Sequence, residues 1–155
     1  MVHVHNRSVV AVPVEFAFAY AADFGRAAEW IFGISALEVR GDIPIGLGAV
    51  YRGSMKLGPK TLHSTIEVVD WQQDSRVGTD TVEGFVNRSK WLFEPVGDTK
   101  TAITVDIDYE LPGGLAGRAL GIAIEPFVAI AVRHSDRTLK EILERDFGRT
   151  ATPSG

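Results

Sequence analysis

The sequence predicts an α+β domain in which a curved antiparallel sheet of seven strands wraps around one long C-terminal helix. Apolar and polar residues alternate with period two between Ser35 and Leu111, as in strands with one buried face. From Gly114 to Phe147 the apolar residues recur with a period of 3.6, as in one long helix. A further strand and two short helices precede these regions.

The N-terminal segment predicts one strand followed by two short helices. His3–Val12 is rich in valine and is bounded by a proline, so it is typical of a strand. Pro13 is well placed at a first helical position, and helical spacing continues to Tyr20. Asp23 can cap a second helix over Gly25–Phe32. Both helices therefore lie between the first strand and the main sheet.

The central region predicts six strands joined by short turns rich in Gly, Asp and Pro. Short joints of this kind connect neighbouring antiparallel strands, so the strands form a meander. The last of them has the clearest alternation, with its odd residues from Ile103 to Leu111 on the buried face. The predicted strands are Ser35–Arg40, Gly48–Leu57, Lys60–Gln72, Arg76–Val82, Phe85–Glu94 and Lys100–Leu111.

The long helix carries an apolar stripe and an internal proline. Pro126 lacks an N–H group to donate, so a kink is expected, with a helix break as the alternative. Gly148 is predicted to end the helix, which gives one domain over residues 1–147 and a flexible tail over 148–155. The predicted stripe comprises Leu120, Ile124, Phe127, Val128, Ala131, Leu139 and Ile142.

Composition excludes several classes of function. The net charge of −4 and the pI near 5.5 argue against nucleic acid, since phosphate binding requires a basic face. The absence of cysteine excludes thiol catalysis, disulfides and thiolate metal sites. The apolar stretch over residues 111–132 contains Arg118, Glu125 and Pro126, which favours a buried helix over a membrane span. With no signal-peptide pattern, a cytoplasmic location is expected.

Motifs for metal, phosphate or nucleophilic chemistry are weak. His3 and His5 share one strand face, but no third ligand is near them in sequence, so exposed histidines and no metal are expected. Gly46-Leu47-Gly48 precedes a strand, which indicates a turn and not a phosphate loop. The sequence has no GxSxG motif, and no cofactor is expected.

Acid–base chemistry depends on which face of the strand Lys60–Gln72 is buried. Its even face is the more apolar, so His63 is predicted to face solvent. If His63 instead faces inward, it becomes a general acid or base with Tyr51, Arg52, Asp80 or Arg88 as partner. In the predicted strand Phe85–Glu94, the face that holds Asn87 is predicted to point inward. There Asn87 either anchors a ligand head group or satisfies its own hydrogen bonds within the sheet.

Several stretches resemble the START/Bet v 1-like (SRPBCC) superfamily, and within it the bacterial polyketide cyclase/dehydrase-like proteins. These stretches are Val12–Phe18, Trp30 followed by Ser35–Val39, Ile45–Tyr51, Trp91–Pro95 and the last helix with its proline. The resemblance implies the helix-grip fold, with a lipid, sterol, polyketide or quinone held between sheet and last helix. Only some proteins of this kind are enzymes. The expected ligand contacts are Trp30, Tyr51, Met55, Asn87, Trp91, Phe93, Tyr109, Ile124, Phe127 and Ala131.

Three hypotheses follow. The first is a carrier or sensor of a hydrophobic small molecule, the second an aromatase/cyclase or dehydrase that uses His63, Tyr51 or Arg88. The third is a protein-interaction domain that docks through the apolar half-helix over residues 115–132. A cavity of about 300 Å³ or more is expected for the first two. Nucleic acid is not expected as a partner, whereas peripheral membrane contact and the choice between monomer and homodimer stay open.

Overall fold

The computed structural model describes residues 2–57, 60–110 and 114–151, without the side chains of residues 57, 60, 114–124, 150 and 151. Within these ranges the chain forms seven strands, two α-helices and one short 3₁₀ helix over Phe24–Glu29. The helices are α1 (Val14–Ala21) and α2 (Gly114–Ala151). The strands are β1 (Val2–Val10), β2 (Glu38–Arg40), β3 (Val50–Leu57), β4 (Lys60–Gln72), β5 (Arg76–Gly84), β6 (Val86–Val96) and β7 (Lys100–Glu110).

The seven strands form one sheet in the order β1-β7-β6-β5-β4-β3-β2, and all neighbouring pairs are antiparallel. Strands β2 to β7 are a meander, as their short connections predict. β1 joins the far side of the last strand, where Val2 pairs with Tyr109 and Val10 with Thr101. The curved sheet, the long C-terminal helix and the short helices after the first strand confirm the predicted helix-grip fold.

The N-terminal elements differ from the predictions only at their ends. Asp23 caps the 3₁₀ helix as expected, because its Oδ1 accepts a hydrogen bond of 3.1 Å from the backbone N–H of Gly25. This helix ends at Glu29 and not at Phe32. Helices of the 3₁₀ type are short because their hydrogen-bond geometry is poor.

Strand β4 buries its even face in its first part and changes face near its end. Leu62 and Val68 are buried, whereas His63 is exposed, as predicted. A bulge between Val68 and Asp70 adds one residue to the strand. An extra residue reverses the alternation, so the odd-numbered Trp71 packs against Phe18, with their ring centroids 5.0 Å apart.

The main core lies between the sheet, α1, the 3₁₀ helix and the C-terminal half of α2. Aromatic rings dominate it and meet edge to face, the arrangement that ring quadrupoles favour. Phe18 contacts Phe93 at 5.1 Å between centroids, and Phe24 contacts Tyr51 at 5.8 Å. The largest side chains that are fully buried are Tyr51, Phe18, Ile103, Leu143, Val10, Val12, Val68 and Val77.

Helix α2 runs without interruption through Pro126 and continues to Ala151. The alternative of a break at the proline is therefore wrong, as is the predicted end at Gly148. Glycine lowers helix stability by only about 1 kcal/mol, which neighbouring packing can offset. The predicted stripe is also wrong at Phe127, which is exposed. This residue is displaced by about 100° around the helix axis from Val128, which faces the sheet.

The C-terminal half of α2 is fixed to the N-terminal elements by apolar and polar contacts. Leu139 and Leu143 are buried in the main core. The Glu144 carboxylate accepts a hydrogen bond of 3.0 Å from the Ala11 N–H, which follows β1. The Ser135 hydroxyl accepts one of 2.9 Å from the Phe32 N–H. These contacts set the distance between the helix and the sheet.

Truncation of Leu143 tests this packing. Leu143→Ala removes a fully buried side chain, so we expect the free energy of unfolding to fall by about 2–5 kcal/mol. Leu47→Ala is the control, because Leu47 is 59% exposed and its loss should cost less than about 0.5 kcal/mol. Urea unfolding followed by circular dichroism measures both, and equal effects would contradict the predicted docking of α2.

Gly84 permits the close approach of two chain segments at the end of β5. Its φ is +88°, and a Cβ atom there would overlap the carbonyl oxygen of His63. That oxygen accepts a hydrogen bond of 2.9 Å from the N–H of Phe85, so it cannot move without loss of the bond. Gly97 also has a positive φ, +67°, but a Cβ atom there would meet nothing within 4 Å.

These two glycines form a matched pair for mutagenesis. Gly97→Ala should cost about 1–2 kcal/mol, the penalty of a left-handed backbone alone. Gly84→Ala adds a steric clash and a strained hydrogen bond, so we expect it to cost at least ~1 kcal/mol more. Thermal or urea unfolding compares the two variants. A smaller loss in Gly84→Ala than in Gly97→Ala would contradict the turn geometry.

Candidate functional site

A cavity of about 220 Å³ lies between the concave face of the sheet and helix α2. Its walls come from β1, the segment that contains the 3₁₀ helix, strands β3 to β7 and the middle of α2. The described lining is mostly apolar. It includes Val4, Phe24, Ala27, Trp30, Ile31, Met55, Ile66, Phe85, Trp91, Ile103, Val105, Ile107, Tyr109, Val128, Ala131, Val132 and Leu139.

The cavity separates two hydrophobic clusters. The main core lies beneath its base, where Trp30 and Trp91 meet edge to face with centroids 5.5 Å apart. A small second cluster is centred on Leu62 and includes Met55, Phe85 and Val128. Val128 belongs to α2, so this cluster holds the helix near the sheet on the other side of the cavity.

Three polar side chains at the base bond to one another. The Ser89 hydroxyl lies 2.6 Å from the Thr79 hydroxyl and accepts a bond of 2.9 Å from the indole N–H of Trp91. These groups donate or accept within the sheet, so they need no partner from a ligand. Such internal pairing removes the cost of burying polar groups beside an apolar cavity.

The side-chain amide of Asn87 also has hydrogen-bond partners within the protein for both of its hydrogens. Its amide NH₂ donates to the Ser64 hydroxyl at 3.0 Å and to the Phe85 carbonyl at 2.9 Å. The Ser64 hydroxyl in turn donates to the same carbonyl at 3.2 Å. Both side-chain amide hydrogens of Asn87 are used, so only its side-chain oxygen, Oδ1, is left to accept a hydrogen bond from a ligand.

Trp30 provides a donor of a different kind. Its indole N–H is buried and has no hydrogen-bond partner among the residues that the structure describes. The ring lines the cavity and stands at 89° to that of Trp91. A buried donor without an acceptor is destabilising.

Six of the ten predicted ligand-contact residues line the cavity, namely Trp30, Met55, Asn87, Trp91, Tyr109 and Ala131. Three do not. Tyr51 lies within the core and donates its hydroxyl to the Pro44 carbonyl at 2.6 Å, and Phe93 packs beneath the cavity against Phe18. Phe127 is exposed on α2. Ile124, the tenth, lies outside the described side chains.

None of the three candidate catalytic residues lines the cavity. His63 is exposed on the outer face of β4. Arg88 lies on the outer face of β6, where its Nε is 3.6 Å from the carboxylate of Asp80. Burial raises the pKa of Tyr51 above its ordinary value of 10. Burial also raises the pKa of Tyr109, so both phenols are neutral at physiological pH.

Sequence reasoning missed the contribution of β1 and one charged group. Asn6 and Ser8 line the cavity from β1, together with Val4. The alternation of this strand could have identified them, had its inner face been known. Asp136 is the sole ionisable group other than Tyr109 among the described lining residues. Its carboxylate accepts a hydrogen bond of 3.3 Å from the Asn6 amide.

The turn over Gly46-Leu47-Gly48 leads into β3, as predicted, and not into a helix N-terminus.

Among the described helices, none has the length and apolar content that a membrane crossing requires.

Comparisons with known proteins agree with this architecture. Residues 1–144 match the family model described as polyketide cyclase / dehydrase and lipid transport. A search of the curated proteins finds no significant match.

Solved structures with the same fold come from bacteria and plants. The protein TTHA0849 from Thermus thermophilus is 20% identical, with 94% of this chain and 99% of that chain covered and a TM-score of 0.78. A START superfamily protein from Mycobacterium smegmatis is 16% identical over 92% and 97%, with a TM-score of 0.71. The major latex-like protein 151 of Panax ginseng is 12% identical over 90% and 95%, with a TM-score of 0.66. The chain belongs to the polyketide cyclase / dehydrase and lipid transport family, and it shares the fold of the START superfamily protein.

Proposed function

We propose that this protein binds a small hydrophobic molecule in the cavity between sheet and helix, as a carrier or sensor. The observation that supports the proposal most directly is the character of the lining. Its described surface is mostly aliphatic and aromatic, and several of its polar groups already bond to one another. Apolar surface of this kind gains free energy when a ligand displaces water from it.

The cavity volume limits the ligand. At about 220 Å³, the cavity is smaller than the 300 Å³ that was expected, and smaller than typical ligand pockets of roughly 300–1,000 Å³. An apolar cavity of about 150 Å³ is nevertheless sufficient for benzene. The described conformation therefore suits a compact molecule of one or two rings, or a short acyl chain. A larger ligand requires movement of α2 away from the sheet.

Two polar features favour a ligand that carries an oxygen atom. The side-chain oxygen of Asn87, Oδ1, can accept a hydrogen bond from a ligand hydroxyl, whereas the side-chain amide hydrogens are already used. The indole N–H of Trp30, a residue of the cavity lining, lacks an acceptor among the described residues, and a ligand oxygen could supply one. A phenol or a hydroxylated ring meets both requirements.

Catalysis is the second candidate function, and the family description includes cyclases and dehydrases. A general acid or base must lie within hydrogen-bond reach of the reacting atoms. The described position of His63 does not meet this condition, because its side chain is exposed outside the cavity. Asp136 is better placed, because it lines the cavity at the helix. A cyclase mechanism would therefore depend on Asp136 and not on the residues that the sequence suggested.

A protein-interaction role has one observation in its favour. Phe127 and Ile130, both on α2, are 42% and 47% exposed. Two neighbouring apolar side chains are a small patch by comparison with a stable interface, so we place this role third. The same patch is available for contact with a membrane surface.

The binding proposal can be tested with two substitutions on one helix. Ala131 lines the cavity, whereas Ala129 is exposed two residues away. Ala131→Phe fills part of the cavity, so we expect the affinity for a two-ring probe, 2-naphthol, to fall at least ~10-fold, equal to about 1.4 kcal/mol. Ala129→Phe adds the same side chain outside the cavity and should leave the affinity unchanged. Isothermal titration calorimetry measures both.

Native mass spectrometry of protein purified from its host identifies what the cavity holds. We expect a small hydrophobic molecule with the wild type and with Ala129→Phe, and its loss with Ala131→Phe. Absence of any bound molecule, together with no affinity for 2-naphthol, would contradict the binding proposal. Conversion of a bound polyketide by the wild type, abolished in Asp136→Asn, would favour the cyclase.

A further inference from the structure

Two histidines and two aspartates meet on the outer face of the sheet, opposite the cavity. His3 and His5 lie on β1 with one residue between them, so both side chains are on the same face. In the β1–β7 pairing, His3 is directly opposite Asp108 and His5 directly opposite Asp106. The carboxylates that the local sequence lacks are therefore supplied by a strand about 100 residues further along the chain.

Asp106 brings the two imidazoles together. Its Oδ1 lies 3.2 Å from Nε2 of His3 and 2.7 Å from Nδ1 of His5. The candidate ligand atoms of these three residues all lie within 4.8 Å of one another. Ligand atoms on one tetrahedral Zn²⁺ are roughly 3.3 Å apart, given Zn–N and Zn–O bonds of about 2.0–2.2 Å. Small rotations of the exposed side chains would thus produce the required spacing.

Asp108 is placed to orient one of these ligands. Its Oδ1 lies 2.6 Å from Nδ1 of His3, and an ionised carboxylate can only accept, so Nδ1 carries the proton. Nε2 of His3, which lies 3.2 Å from Oδ1 of Asp106, is then the atom left to bind the ion, and it does so without a proton. Metal-bound histidines commonly donate their second ring N–H to a carboxylate in this way. The cluster therefore has a ligand set and an outer carboxylate that fixes the tautomer of His3.

We propose that His3, His5 and Asp106 form a binding site for a divalent transition metal such as Zn²⁺, oriented by Asp108. Imidazole and carboxylate are ordinary zinc ligands, and three protein ligands leave a fourth position for water. Two neutral imidazoles and one carboxylate leave part of the metal charge uncompensated. The nearby Asp108 carboxylate balances this charge.

Basic residues around the cluster lie on β1 and on the strand beyond β7. Arg7 follows His5 by two residues on β1 and is exposed on the same face. On β6, Lys90 is opposite Asp106 and Arg88 is opposite Asp108. Arg88 is paired with Asp80, and its charge is partly neutralised there. The side chains of His3 and His5 are 54% and 57% exposed, so a metal ion can reach them from solvent. The site joins the edge strand β1 to β7 and would fasten that edge.

The experiment is a Zn²⁺ titration of the tag-free, full chain by isothermal titration calorimetry, at a pH of about 8 because protons compete with the metal for imidazole nitrogens. We expect binding of one ion per chain. His3→Ala and His5→Ala should each abolish it, or weaken it by more than ~10-fold. Asp108→Asn keeps the shape of the side chain but removes the charge, and should weaken binding by about 10–100-fold. His63→Ala, a second exposed strand histidine, should leave binding unchanged.

Two further measurements distinguish a built site from general histidine affinity. Co²⁺ bound by His3, His5 and Asp106 should give the intense visible absorption of a four-coordinate ion, and His5→Ala should lose it. At 100 times Kd of the wild type, Zn²⁺ should raise Tm of the wild type by roughly 5–10 °C, and that of His3→Ala by at most about half as much. No binding by the wild type, or wild-type affinity retained in His3→Ala or in His5→Ala, would overturn the proposal. Unchanged affinity in Asp108→Asn would overturn the role of Asp108.

Discussion

The structure depends on how the C-terminal half of α2 is attached to the N-terminal elements. Leu139 and Leu143 are buried in the main core, and Phe147 packs edge to face with Phe16 of α1 at 5.2 Å between centroids. The hydrogen bond from the Ala11 N–H to the Glu144 carboxylate fixes the position of the helix along its own axis. Further towards its N-terminus the described part of the helix lies over the cavity, which Val128 and Ala131 line, and Val128 also packs against Leu62. The attachment of the C-terminal half, together with this smaller contact, therefore sets the width of the cavity.

Hydrogen bonds within the protein satisfy several polar groups of the lining. This pairing stabilises the cavity, because each unpaired buried group, such as the indole N–H of Trp30, costs about 1–3 kcal/mol. Ser89, Thr79 and Trp91 are paired through their mutual bonds. The same bonds reduce the number of groups that could act on a substrate. Stability of the empty cavity and catalytic power thus place opposite demands on the same side chains.

Much of the fold could be predicted because its signals are local. Three signals can be recognised from residues that are close together in sequence. They are the period-two alternation over β3 to β7, the turn residues between these strands, and the long C-terminal stretch with a period of 3.6. The inner face of β6, with Asn87 and Trp91, followed from the same alternation. The lengths of elements were less accurate. Gly148 does not end α2, because its intrinsic preference is weak beside the packing of the adjacent Phe147.

The unpredicted features arise from contacts between distant parts of the chain. The bulge in β4 reverses the orientation of Trp71, and it depends on the register with β5. Tyr51 was expected to contact the ligand, yet it lies in the core and donates its hydroxyl hydrogen to the carbonyl of Pro44. The carboxylates beside His3 and His5 were invisible in sequence, since β1 and β7 pair across about 100 residues. Local pattern specifies a face but not the partner strand.

The pairing of β1 with β7 connects the two proposed sites. Alternation along β1 directs Val4, Asn6 and Ser8 into the cavity, and it directs His3 and His5 to the outer face. The same backbone therefore forms a wall for a ligand and a frame for a metal ion. β1 is an edge strand whose one neighbour in the sheet is β7, and edge strands open more easily than central ones. A metal ion that bridges His3, His5 and Asp106 would restrict this opening and stiffen the cavity wall. The chemistry of the two sites remains separate, because no side chain of β1 faces both sides of the sheet.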